Sequence, residues 1–395
     1  MELCEIELCT GCAACANSCP KKLIHMEPDA EGFLRPMVQE KGCIDCGSCE
    51  NSCPILHPMC YQSNEPTEIK AFCAQYRDEP VRLASTSGGV FTALCEWVFQ
   101  RKGIVFGAAY DDSYQVVHTR VDDKEELDKL RTAKYAQSKI GDCYTEIKQL
   151  LSNGCYVLFS GTPCQVAGLS AFLGKEYERL ILVDVICHGV PSPAVWHEYI
   201  RYRCQTDAQG AAPASINLRS KISGWPSYSV SFEYKNGAIY NAPNSKDPFI
   251  RAFVGDLCLR PSCYYCKFKG LHRNCDFTLG DYWGVWDQEP AFNDGKGTSL
   301  VLVHSKKGEL IWNQLNDALR YKRVEAEYAL SGNPSALQSS VMPSGRETFM
   351  SHYTQQDFKE LVDHLCPIPS PNRQPVWRRI LKKIARLTQA IRRKY

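Results

Sequence analysis

Two twelve-residue segments near the N-terminus repeat at an offset of 34 residues. Cys9-Thr-Gly-Cys12-Ala-Ala-Cys15-Ala-Asn-Ser-Cys19-Pro20 matches Cys43-Ile-Asp-Cys46-Gly-Ser-Cys49-Glu-Asn-Ser-Cys53-Pro54 at every Cys, at the Asn-Ser pair and at the Pro. Each copy reads C-x2-C-x2-C-x3-C-P. Three thiolates at this spacing let one loop wrap three corners of an iron–sulfur cubane, while the fourth Cys ligates the other cluster. The expected ligand sets are therefore Cys9, Cys12, Cys15 and Cys53 for one 4Fe-4S cluster, and Cys43, Cys46, Cys49 and Cys19 for the other. Zinc knuckles are the competing reading, but they favour two separated C-x2-C pairs over a run of four thiols. Cys4 and Cys60 flank the pattern and read as structural thiols. The module should span residues 1–60.

The rest of the composition narrows the class. The chain has 395 residues, enough for two or three domains, with 44% hydrophobic and 23% charged residues, as expected of a globular protein rather than a disordered one. A formal charge of +2 makes no case for nucleic acid as a partner. No run of about 18 apolar residues is present to span a membrane. The opening MELCEIELCT lacks the basic and apolar regions of a secretory signal, so the 22 cysteines point to a reducing, cytoplasmic setting where thiols bind metal more often than they pair.

Residues 61–70 read as a linker. Beyond it the pattern alternates strands and helices. Strands are expected at 103–110, 114–121, 155–160 and 179–186, with helices at 122–130, 142–152, up to about Leu173, and up to about residue 203. This β-α-β-α order predicts a mainly parallel sheet over 71–210, with ligands bound beyond the carboxyl ends of its strands. Cys164 and Cys187 sit just past two such ends. Ser87-Gly88-Gly89 opens a helix and offers bare N–H groups to a phosphate, or simply caps it. Residues 211–350 read as a C-terminal α+β part, with an Asn236-Gly237 hairpin suited to a type I′ turn. A third cysteine group follows at Cys258, Cys263, Cys266 and Cys275. Cys263 and Cys266 form a knuckle needing two more ligands, either Cys258 and Cys275 nearby or Cys164 and Cys187 from the strand ends.

Several segments together resemble the beta subunit of the coenzyme F420 hydrogenase/dehydrogenase family. They are Ser85-Thr-Ser-Gly-Gly-Val90, Lys134-Tyr-Ala-Gln-Ser138, Phe159-Ser-Gly-Thr-Pro-Cys-Gln165, Cys187-His-Gly-Val-Pro-Ser192, Arg260-Pro-Ser-Cys-Tyr-Tyr-Cys266 and Gly280-Asp-Tyr-Trp-Gly284. The resemblance implies an α+β fold with a ferredoxin-like module followed by an α/β flavin-binding domain. It implies FAD held by Ser87, Gly88, Gly89, Lys134, Ser138, Gly161 and Thr162. It also favours a third 4Fe-4S cluster on Cys164, Cys187, Cys263 and Cys266. His188 is a candidate proton shuttle and Asp281 a candidate partner of flavin or substrate. The expected activity is electron transfer from ferredoxin or another redox protein through the clusters to FAD and an organic hydride acceptor, with coenzyme F420 one candidate substrate. The alternative is a relay subunit without a substrate pocket. The fused clusters and the C-terminal extension set the chain apart from the hydrogenase subunits.

In the tail (351–395), residues 375–395 place Trp377, Ile380, Leu381, Ile384, Leu387 and Ile391 on one helical face. Eight Lys and Arg and no acid occupy the rest. This pattern suits an anionic membrane surface, implying peripheral attachment on the inner face.

Overall fold

The computed structural model describes residues 3–58 and 68–368. Most of the expected linker, together with Cys60 and the basic tail at 375–395, lies outside the described residues. No helix among the described residues is long and apolar enough to cross a membrane.

In the N-terminal module the sequence repeat is also a backbone repeat. Gly11 and Asp45 both take positive φ (68° and 49°), as do Ala13 and Gly47 (62° and 69°), each pair one repeat apart. The second pair starts two short helical turns, α1 (Ala14–Ser18) and α2 (Ser48–Asn51). Between them β1 (Ile24–Pro28) and β2 (Leu34–Val38) form an antiparallel hairpin. Cys12, Ala13 and Ala14 are buried in one apolar cluster with Phe106, Tyr144, Phe159 and Leu169 of the body, so the module packs into the rest of the chain.

The body follows as β3 (Lys70–Tyr76), α3 (Glu79–Ala84), α4 (Val90–Phe99), β4 (Ile104–Tyr110), β5 (Val116–Val121), α5 (Cys143–Ser152), β6 (Val157–Gly161), α6 (Pro163–Leu173), β7 (Leu180–Val185) and α7 (Pro193–Ala208). Next come β8 (Pro213–Ser220), β9 (Ser229–Tyr234), β10 (Ile239–Pro243), α8 (Pro248–Val254), α9 (Pro261–Tyr264), β11 (Phe277–Asp281), β12 (Ser299–Val303) and β13 (Leu319–Val324). Eight strands form the main sheet, in the order β13-β3-β12-β11-β7-β6-β4-β5.

The sheet is mixed, with its parallel part at the centre. β4, β6, β7 and β11 run parallel to their neighbours, whereas β5, β12, β3 and β13 are added antiparallel. The break expected at residue 210 does not divide this sheet, because β11–β13 return to it from the C-terminal half. β8–β10 form a separate antiparallel sheet of three strands packed with α7 and α8.

Local chemistry explains the segments that differ from expectation. Only a 3-10 turn, Leu127–Lys129, forms in 122–130. Four acids in its first five residues repel one another, and nine residues are too few to overcome helix nucleation unaided. The Asn236-Gly237 hairpin forms, but only Gly237 takes positive φ (84°). A type I′ turn needs positive φ at both positions. Asn236 instead donates from Nδ2 to the Ala208 carbonyl at 3.0 Å and accepts from Ala238 N–H at 3.1 Å.

Candidate functional site

The eight thiols of the N-terminal repeat ring two cavities. Cys19 joins Cys43, Cys46 and Cys49 around a space of about 120 Å³. Cys53 joins Cys9, Cys12 and Cys15 around a smaller one, with Cys4 as a fifth thiol. This is the crossed pairing expected from the motif. Backbone N–H groups reach the sulfurs, as where Leu23 N–H donates to Cys19 Sγ at 3.4 Å. A hydrogen bond from Cys4, opposed by burial and aided by the Arg260 guanidinium, pulls the Cys9 thiol down to about 5. Cys53 is the other acceptor within reach of that one Cys4 S–H, and its thiol is pulled down by it against burial. Burial pushes Cys15 up to about 12, with repulsion from Cys9, Cys53 and Cys49 adding to it. That last interaction links the two cavities. Cys46 is exposed, beside exposed Ile44, so the second cavity is the one that meets solvent.

A third group forms from distant segments. Cys164 opens α6 just past β6, Cys187 follows β7, and Cys263 and Cys266 lie on and after α9. Burial raises Cys164 to about 11, with repulsion from Cys266 adding to it, and Cys263 to about 12, with repulsion from Cys164 and Cys266. Cys187 is likewise pushed up, first by burial and then by Cys263, Cys164 and Cys266. Val190 N–H donates to Cys263 Sγ at 3.4 Å. The local alternatives have other neighbours. Cys258 is fully buried near Arg346 and Asp256, and Cys275 contacts Thr278 at 3.6 Å.

Beyond the carboxyl ends of β6, β7 and β11 opens a cavity of about 650 Å³, a size suited to a cofactor. Ser87, Gly89, Lys134, Ser138, Gly161, Thr162, Cys187, His188 and Asp281 all line it. Gly89 takes φ 87° and starts α4, whose first turn faces the cavity. Gly88 is not among the lining residues. A Cβ there would stand 2.3 Å from the Ala74 carbonyl and 2.6 Å from Ser299 N, so Gly88 lets the loop lie against β3 and β12. Ser87 Oγ is spent on the loop too, donating to the Thr298 carbonyl at 2.8 Å.

Several lining residues carry no motif. His118 Nε2 sits 3.0 Å from the Ser160 carbonyl and so must donate to it, leaving Nδ1 to accept from Ser138 Oγ at 2.9 Å. Ser138 in turn accepts from Gln165 Nε2 at 2.8 Å, and Gln165 Oε1 accepts from Thr162 N–H at 3.0 Å. Ser138 and Thr162 are thus fixed by a chain running from β5 to α6. Burial keeps His118 neutral, pulling it down to about 4. Asp281 has both oxygens engaged, Oδ2 by Arg219 Nη2 and Oδ1 by Trp225 Nε1, each at 2.8 Å. His188 Nε2 stands 2.7 Å from Asp256 Oδ1, and its Nδ1 is 3.3 Å from Ser335 Oγ. Lys134 Nζ donates to the carbonyls of Lys129 (2.9 Å), Arg131 (2.5 Å) and Thr132.

The thiol groups and the cavity suit an iron–sulfur redox protein, and comparison with known proteins supports that class. Residues 8–55 match the 4Fe-4S dicluster domain, and residues 155–327 match the family described as the C terminus of the coenzyme F420 hydrogenase/dehydrogenase beta subunit. In chain order, the matches are thus to a 4Fe-4S dicluster domain and then to the C terminus of that beta-subunit family. A chain of the F420-reducing [NiFe] hydrogenase complex from Methanosarcina barkeri, solved as a xenon derivative, is 16% identical; the match covers 76% of this chain and 89% of that one at a TM-score of 0.44. No curated protein matches.

Proposed function

We propose that the chain is an FAD-dependent iron–sulfur oxidoreductase with its flavin in the 650 Å³ cavity. One observation carries this reading. Cys187 belongs to the third thiol group and also lines the cavity that gathers the residues expected to bind flavin. Bound there, the cubanes would carry electrons singly and the flavin would exchange them in pairs with an organic hydride acceptor.

The chain's own residues then divide the work. The first turn of α4, entered through Gly89, presents free N–H groups to an anionic phosphate. Lys134 supplies a cation to the same cavity, its Nζ held by the Lys129, Arg131 and Thr132 carbonyls. Ser138 and Thr162 are held in place by Gln165 and His118. Asp281 holds the Arg219 guanidinium at the cavity wall and is a positioning residue, because neither of its oxygens is free. His188, between Asp256 and Ser335, is the group placed to hold a proton beside Cys187. Cys164, Cys187, Cys263 and Cys266 are the proposed ligands of the third cluster. Exposed Cys46 and Ile44 mark the side at which ferredoxin or a similar redox protein would approach.

The test is flavin content. Acid denaturation of anaerobically purified protein should release one flavin per chain. Ala108→Phe, which fills the cavity, should lose the flavin and keep its iron. Wild-type protein that releases no flavin would contradict the reading.

A further inference from the structure

The described chain contains seven arginines whose side chains are buried as whole residues. Arg35, Arg82, Arg203, Arg219, Arg251 and Arg346 each have a carboxylate within 4 Å. Arg260, only 1% exposed, has none among the described residues. A buried guanidinium without an anion is costly unless other acceptors replace water. Its partners are instead drawn from the N-terminal module. Nε donates to the Cys9 carbonyl at 2.7 Å and Nη2 to the Leu34 carbonyl at 3.0 Å, and Nη2 reaches Cys9 Sγ at 3.7 Å. Nη1 donates to Gln137 Oε1 at 3.1 Å, and the same oxygen accepts from Leu34 N–H at 2.9 Å. The backbone of Arg260 belongs to the other side. It starts α9, its carbonyl accepts from Cys263 N–H at 2.9 Å, and its own N–H donates to the Val190 carbonyl at 2.9 Å.

We propose that Arg260 is the internal counter-cation of the cluster on Cys9, Cys12, Cys15 and Cys53, raising that cluster's reduction potential above the value its thiolates alone would set. The proposal rests on the reading of these thiols as cubane ligands. A thiolate-held cubane is anionic and becomes more so on reduction, so a fixed positive charge at a ligand sulfur favours the reduced form. The cavity around Cys19, Cys43, Cys46 and Cys49 opens to solvent, and the cation on its rim, Lys21, is exposed and screened by water. The effect therefore falls on one of the two N-terminal clusters. Electrons entering at the exposed cluster would thus be drawn inward, towards the side where Cys164 and Cys263 lie.

The experiment is a potentiometric titration of anaerobically purified full-length protein followed by EPR, with iron counted per chain. The Cys9-bound cluster is identified by the altered signal of Cys9→Ser. In Arg260→Gln the midpoint of that cluster should fall while the midpoint of the other N-terminal cluster stays put. Arg260→Lys should return it towards the wild-type value. Iron-loaded Arg260→Gln with both midpoints unmoved, or with both moved equally, would overturn the proposal. If Arg260→Gln sheds iron, Arg260→Lys decides. Full iron and a near-wild-type midpoint support the role of charge, and the same loss in both variants refutes it. Wild-type protein without iron would instead bring down the underlying cluster reading.

Discussion

The sulfur of Cys12 lies 2.9 Å from where a Cβ would stand on Gly168. Gly168 is on α6, one turn along from Cys164, so a proposed ligand of the first cluster touches the helix that carries a proposed ligand of the third. Repulsion between the Cys12 and Cys164 thiols reports the same closeness. The contact exists only because α6 has no side chain at that point. Helix propensity alone would make Gly168→Ala stabilising by about 1 kcal/mol. Overpacking against Cys12 opposes this by about 1–3 kcal/mol. We predict net destabilisation, read by thermal unfolding, together with loss of iron from the N-terminal module. A stabilised variant with full iron would show that Cys12 can move aside without cost.

The module is also clamped by charge. Arg346 Nη1 and Nη2 meet Glu31 Oε1 and Oε2 at 2.8 and 2.6 Å, and the same guanidinium donates to the Leu259 carbonyl. The Arg346 side chain is 9% exposed and that of Glu31 32%, so water screens the pair only from the carboxylate side. Glu31→Gln should cost about 1–3 kcal/mol in urea unfolding and speed proteolysis of the N-terminal module. Lys22→Ala, at the exposed pair with Asp142, should leave both unchanged.

Acid stability should depend on His118. Burial holds it at about 4, below the ordinary 6.5. The unfolded chain therefore takes up this proton first as pH falls, and stability is lost between about 6.5 and 4, on the order of 3 kcal/mol in all. Buried His304, held at about 3, adds a loss of the same sign. In His118→Gln the slope of stability against pH should fall by one proton over this window. An unchanged slope would mean that the His118 proton is not excluded.

Ligand affinity should carry its own pH signature. Desolvation brings Lys134 down to about 7 in the protein alone. An anion bound beside it would raise that value, so binding above pH 7 must take up a proton. FAD affinity for flavin-depleted protein should be greatest below about pH 7 and weaken by up to about tenfold per unit above it. Lys134→Met should flatten this dependence. A wild-type affinity flat from about pH 6 to 9 would remove Lys134 from the binding site.

The parts legible in the sequence are those whose chemistry is local. The crossed thiol sets follow from spacing within two loops, and β6 and β7 from short apolar runs that end at Cys164 and Cys187. Apart from β5, expected at 114–121, the antiparallel half of the sheet is not legible. β3 pairs with β12 and β13, strands more than 200 residues away, and no pattern inside Lys70–Tyr76 announces those partners. Asp281 carries a motif, but its commitment to Arg219 and Trp225 comes from a segment about sixty residues upstream. His118 looks in sequence like any inward residue of a strand; only the meeting of Ser138, Ser160 and Gln165 gives it a role. Gly88 reads as a phosphate contact because glycines before a helix allow one. Its tight packing against β3 and β12 depends on strand pairings that no local pattern reveals.

The most direct test of the account is the inventory of anaerobically purified protein: iron, acid-labile sulfide and flavin per chain. Three cubanes and one flavin predict about twelve irons, about twelve sulfides and about one flavin. About eight irons would remove the cluster on Cys164, Cys187, Cys263 and Cys266, and zinc in place of iron would contradict the account from its first thiol onward.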